Sequence, residues 1–125
     1  MPEINLTTNI KVEDPKALVL GLSKLGSELL GYSEAHFQAR YTYNEFQLFA
    51  GSFDPAFSLE IKHIAVTPET SEKYTKAFSE FLTSKLGVRN DRGFVICQLI
   101  EKENVGFMGT TVEKILRAKA AANTA

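Results

Sequence analysis

DPKALVLGLSKLGSELLG, residues 14–31, and TPETSEKYTKAFSEFLTSKLG, residues 67–87, carry the same helical punctuation. Asp14 and Thr67 offer oxygens to the orphan amides of a first turn, and Pro15 and Pro68 have φ preset for it. Leu18, Leu22, Leu25 and Leu29 then recur at helical spacing in the first stretch, as do Tyr74, Phe78, Phe81, Leu82 and Leu86 in the second. Gly31 and Gly87 fit the left-handed position that closes a helix. The prolines lie 53 residues apart and the glycines 56, so the chain reads as one plan written twice.

Strand patterns flank both helices. Ile4 and Leu6 alternate with polar neighbours before the first, and Phe37, Ala39, Tyr41 and Tyr43 alternate after it. Phe57, Leu59 and Ile61 do the same before the second helix. The apolar run Phe94-Val95-Ile96-Cys97 after it predicts a strand covered on both faces. Two right-handed β-α-β units side by side make an α+β fold: a four-stranded sheet with both helices on one face. The other face is left for oligomerisation to cover. Phe46-Gln47-Leu48-Phe49, after a turn near Asn44, predicts an extra edge strand or hairpin. Thr110 with Glu113 predicts a capping box for a C-terminal helix over about 111–125, frayed from Ala120.

With 125 residues, 44% of them apolar and 23% charged, the chain suits a single domain. A net charge of -1 gives no general pull toward nucleic acid or an anionic membrane. Apolar runs stop well short of the roughly 20 residues of a membrane helix, and no leader pattern opens the chain. Cys97, alone, excludes an intrachain disulfide and a cysteine-rich zinc site. His36 and His63 are too sparse for a metal site and read as surface or packing residues. The expectation is a cytoplasmic protein without metal or cofactor.

Met1-Pro2 opens the first strand. Removal of Met1 would expose the secondary amine of Pro2, a group able to act as a general base near neutral pH.

Several short motifs share an order and spacing with one family. They are Met1-Pro2 with Thr8-Asn9, Gly31, Phe49-Ala50-Gly51-Ser52 followed by Asp54-Pro55, and Asn104-Val105-Gly106-Phe107. From Pro2 to about Val112 the chain resembles the macrophage migration inhibitory factor and D-dopachrome tautomerase family, of the tautomerase superfamily. Glu80-Phe81-Leu82-Thr83 followed by Leu86 resembles the D-dopachrome tautomerase branch in particular.

The resemblance implies a homotrimer, with three sheets around a channel and an active site at each subunit interface. It implies that Pro2 moves a proton between the keto and enol forms of small carboxylated compounds such as phenylpyruvates or dopachrome derivatives. It also locates the pocket. Tyr32 stands where the family usually has a substrate-holding lysine, and Ile64 where an isoleucine offers its backbone amide. Phe94 replaces a frequent tyrosine, and Ile96 replaces an asparagine contributed by the neighbouring subunit. Val105 and Phe107 complete a more apolar pocket, with Lys62 as the candidate replacement cation. Glu3, beside Pro2, would favour the protonated amine if it pointed inward. Ala56 and Leu59 occupy the positions of a cysteine pair in the family's cytokine member, so no thiol–disulfide activity follows.

Two other readings compete. A cytokine-like or regulatory trimer, secreted by an unconventional route, would engage a protein receptor or client with little catalysis. The β-α-β-β-α-β order and Arg92-Gly93-Phe94-Val95 superficially match an RNA-recognition motif. That signature falls on the wrong strand, after the second helix, and the charge is unfavourable.

Overall fold

The computed structural model describes residues 2–124; Met1, on whose removal the Pro2 chemistry turns, and Ala125 lie outside them. Four strands form the main sheet: β1 (Glu3–Thr8), β2 (Gln38–Tyr43), β3 (Phe57–His63) and β4 (Gly93–Leu99). Their order is β2-β1-β3-β4. β1 is parallel to β2 and β3 is parallel to β4, while β1 and β3 meet antiparallel at the centre. Helix α1 (Pro15–Leu30) links the first parallel pair and α2 (Pro68–Leu86) the second, giving the two β-α-β units.

The helix ends obey the sequence. Asp14 Oδ1 accepts from the Ala17 amide at 3.1 Å, and Thr67 and Thr70 exchange reciprocal side-chain caps. Gly31 and Gly87 close the helices at φ 78° and 69°, returning their amides to Ser27 and Thr83. Leu18 and Leu22 from α1, and Tyr74, Phe78 and Leu82 from α2, are buried on one face of the sheet. They cover Ile4 and Leu6 of β1 and Phe57, Leu59 and Ile61 of β3, all buried. Each such apolar side chain contributes about 1.5–3 kcal/mol by leaving water.

The other face is open in the single chain. On β4, Val95 and Cys97 turn toward the helices, whereas Phe94 is 68% exposed and Ile96 49% exposed. The expectation of a strand covered on both faces therefore fails within one chain. A four-residue apolar run marks the strand, but α2 reaches only one side of it.

Phe46-Gln47-Leu48-Phe49 is not a strand either. Asn44 Oδ1 accepts from the Phe46 amide at 3.0 Å, folding the segment into a turn, and Phe49 makes only an isolated bridge with Ser52. Two distant side chains hold this loop. Asn9 Nδ2 donates to the carbonyls of Gln47, Phe53 and Asp54 while its Oδ1 accepts from the Ala56 amide. Arg92 donates to the carbonyls of Phe49, Ser52, Asp54 and Pro55. The backbone here finds partners in side chains instead of a neighbouring strand.

Beyond β4, a small hairpin pairs β5 (Gly106–Phe107) with β6 (Thr110–Thr111) through Met108 and Gly109, both at positive φ. Helix α3 (Val112–Thr124) follows. Its first-turn cap is Thr111, whose Oγ1 accepts from the Lys114 amide at 3.2 Å, and not Thr110. Glu113 pairs instead with Arg117 one turn on, at 2.7 Å. The alanine-rich tail is helical to Thr124, in keeping with alanine's helix propensity.

Candidate functional site

Pro2 is buried at the head of β1, the strand paired on both sides. Its carbonyl accepts from the Gln38 amide of β2 at 3.1 Å. In the antiparallel ladder Glu3 faces Lys62, so the next step outward sets Pro2 across from His63. Alternation then assigns the faces. Pro2, Ile4, Leu6 and Thr8 are buried on the helix side, as are Phe57, Leu59, Ile61 and His63.

His63 is only 1% exposed, and its Nδ1 has no hydrogen-bond partner among the described residues. The Tyr32 ring stands edge-on to it, centroids 5.1 Å apart at 82°. Tyr32 is held there by the left-handed turn at Gly31 and by the Ser27 hydroxyl, which donates to the Tyr32 carbonyl at 2.5 Å. Burial first, and the positive N-terminal amine second, lower the His63 pKa from 6.5 to about 4. Tyr74 of α2 shares the region: burial raises its phenol, opposed by a hydrogen bond from Thr70, with Cys97 and Tyr32 adding to the rise.

The opposite face carries the ions. Glu3 accepts from Arg40 at 2.8 Å and from Asn5 at 3.0 Å, so its carboxylate is engaged away from the Pro2 side of the sheet. Lys62 projects to that same open face, its Nζ 4.0 Å from Glu60. Within one chain it does not share a face with Pro2.

The remaining candidates divide by position. Ile64 is half-buried one residue beyond β3, next to the Pro2–His63 step. Phe94 and Ile96 stand on the open face of β4, where the Phe94 ring meets Phe49 at 5.6 Å. Val105 is buried and its carbonyl accepts from the Val112 amide at 2.8 Å, while Phe107 on β5 is half-exposed. One chain thus gathers Pro2, Tyr32 and Ile64 around His63 and leaves Phe94, Ile96 and Phe107 on other surfaces. Sequence reading gave His63 a surface or packing role, and it is buried as a packing residue would be; what that reading did not supply is its place opposite Pro2. The available signal was its place in the Phe57, Leu59, Ile61, His63 alternation, which puts it on the core face. Among the described residues no cluster of three metal-ligating side chains occurs, and no helix is long and apolar enough to cross a membrane.

Solved structures share this architecture. The macrophage migration inhibitory factor of Trichinella spiralis superposes with a TM-score of 0.82 at 24% identity, covering 87% of this chain and 98% of that one. The homologue from Prochlorococcus marinus gives 0.82 at 22% identity, over 88% and 98%. The Toxoplasma gondii protein gives 0.80 at 20% identity, over 87% and 98%. No curated protein sequence matches significantly. The family profile described as Macrophage migration inhibitory factor (MIF) matches residues 1–113, everything up to the first turn of α3. With the doubled β-α-β plan and the proline-headed central strand, that match makes this chain a member of the macrophage migration inhibitory factor family.

Proposed function

We propose that the protein is a keto–enol tautomerase using Pro2 as its base, acting as a homotrimer on small carboxylated compounds of the phenylpyruvate or dopachrome type. The observation that carries this reading is the burial of Pro2 at the head of a strand paired on both sides, with the Glu3 carboxylate turned to the other face. After Met1 is removed, the amine starts from a pKa of roughly 8, and desolvation favours its neutral, basic form. It takes a proton from the carbon beside the substrate carbonyl and, as the ammonium, delivers that proton to the carbonyl oxygen, which leaves Pro2 neutral again; the enol-to-keto direction runs the same transfers in reverse. No net proton or electron is exchanged.

Trimers are typical of the family, and the open sheet face with exposed Phe94 and Ile96 is a surface that partner subunits would cover. Such a neighbour would bring Phe94, Ile96 and Phe107 toward a site whose own chain supplies Pro2, Tyr32 and Ile64. The test is phenylpyruvate tautomerisation by mass-verified, Met1-free protein beside its Pro2→Gly variant. Activity in the first and loss to background in the second is the expected result; equal rates end the proposal.

A second reading rests on the absent pocket cation: Tyr32 brings no charge, and Lys62 stands on the opposite face. It is a cytokine-like or regulatory trimer engaging a protein receptor or client. That reading predicts partner binding undiminished by Pro2→Gly.

A further inference from the structure

His63 presents an unusual arrangement on the buried side of the sheet. An imidazole acceptor left without a partner in a 1%-exposed position costs about 1–3 kcal/mol, a burden that native folds rarely carry without a use for the group. One step beyond the last pair of the ladder, Glu3 with Lys62, Pro2 falls opposite His63 on the same face of the sheet. While Met1 is attached, the Pro2 nitrogen is a tertiary amide with no hydrogen to give. Once Met1 is gone, the same atom is an amine that donates one hydrogen when neutral and two when protonated.

We infer that His63 is the positioning residue for the processed terminus: an N–H of the Pro2 amine donates to His63 Nδ1, fixing the amine's direction at the site and stabilising the fold when Met1 is removed. The inference rests on the reading of Pro2 as a processed terminal amine, though not on any catalytic activity.

The surroundings support it. His63 stays unprotonated through neutral pH, as an acceptor must, chiefly because it is buried. Tyr32 packs edge-on against the ring and limits its rotation. Burial and the chain's terminal amine account for the His63 shift, with no charged side chain contributing, and the groups acting on nearby Tyr74 are Thr70, Cys97 and Tyr32. The ionic side chains of Glu3, Arg40, Glu60 and Lys62 stand on the other face. His63 is thus the nearby acceptor that no other donor claims.

An acceptor favours the protonated amine, so it opposes the lowering that burial imposes on Pro2. The bond therefore tunes the base as well as aiming it.

The experiment is an NMR titration of protein labelled with nitrogen-15 in proline and histidine, comparing Met1-free protein with a form that retains Met1. In the processed protein His63 Nδ1 should be the unprotonated nitrogen, and its resonance should shift as the Pro2 amine titrates. In the Met1-retaining form the Pro2 nitrogen has no hydrogen to give, so the Nδ1 resonance should lack the hydrogen-bond shift whatever the charge of the Met1 amine. His63→Phe, with Met1 removed, should lower the Pro2 pKa by about one unit. His63→Gln, which keeps an acceptor, should restore part of the difference. A proton resident on Nδ1 in the processed protein, or identical His63 resonances in the two forms, overturns the inference. Both readouts are independent of tautomerisation, so an inactive protein with a coupled Pro2–His63 titration refutes the proposed reaction and leaves this inference standing.

Discussion

At the scale of single residues, His63 makes stability depend on acidity. The unfolded chain binds a proton at this ring near pH 6.5, whereas the folded protein binds it only near pH 4. Between those values the unfolded state holds more protons, so stability falls as pH drops through the window and levels off below it. Urea unfolding at successive pH values should show up to one proton's worth of slope there, and His63→Phe should flatten it. Gly93 is a second sensitive position. A methyl group there would collide with the Phe57 carbonyl and side chain, where β3 and β4 pair at the start of their register. Gly93→Ala should destabilise the protein by about 1–3 kcal/mol, measured as a lower urea midpoint. Neither effect is visible in the neighbouring sequence, because both arise from a strand brought alongside by the fold.

At the scale of elements, both long helices were legible from residues that act within one turn of themselves. Asp14, Pro15 and Gly31 cap α1 through local bonds, and Thr67, Pro68 and Gly87 do so for α2. The loop between β2 and β3 was not legible, because its conformation is imposed by Asn9 and Arg92, each more than 35 residues away from part of it. Local pattern made Phe46-Gln47-Leu48-Phe49 a strand; long-range side-chain bonds made it a turn. The same reason hid the place of His63 opposite Pro2, which depends on the antiparallel meeting of β1 with β3. Asn9→Ala should remove the loop's main hydrogen-bond hub, costing about 2 kcal/mol and exposing residues 44–55 to limited proteolysis. Arg92→Lys should be nearly as harmful as Arg92→Ala, since an ammonium cannot reproduce the guanidinium fork over four carbonyls.

At the scale of the whole molecule, the uncovered sheet face governs assembly. β4 is an edge strand whose outer residues include the exposed Phe94 and Ile96. If partner subunits cover that face, native protein should sediment at about 42 kDa, three times the 13.9 kDa chain. The pair Phe94→Asp and Ile96→Lys should yield monomers with the helix content retained in circular dichroism. Loss of tautomerisation in those monomers, despite an intact Pro2, would place part of the pocket on the neighbour.

The central position of β1 also sets a timetable. A chain's first residues usually stay accessible throughout its life, but Pro2 becomes buried once its strand lies between β2 and β3. β3 ends at His63, so at about 5–20 residues per second the ribosome needs roughly 3 to 13 seconds to reach the end of the strand that pairs beside β1. An aminopeptidase acting on Met1 therefore works mainly on the nascent chain. Slower translation before residue 63 should raise the trimmed fraction, and fully folded, untrimmed protein should resist the enzyme.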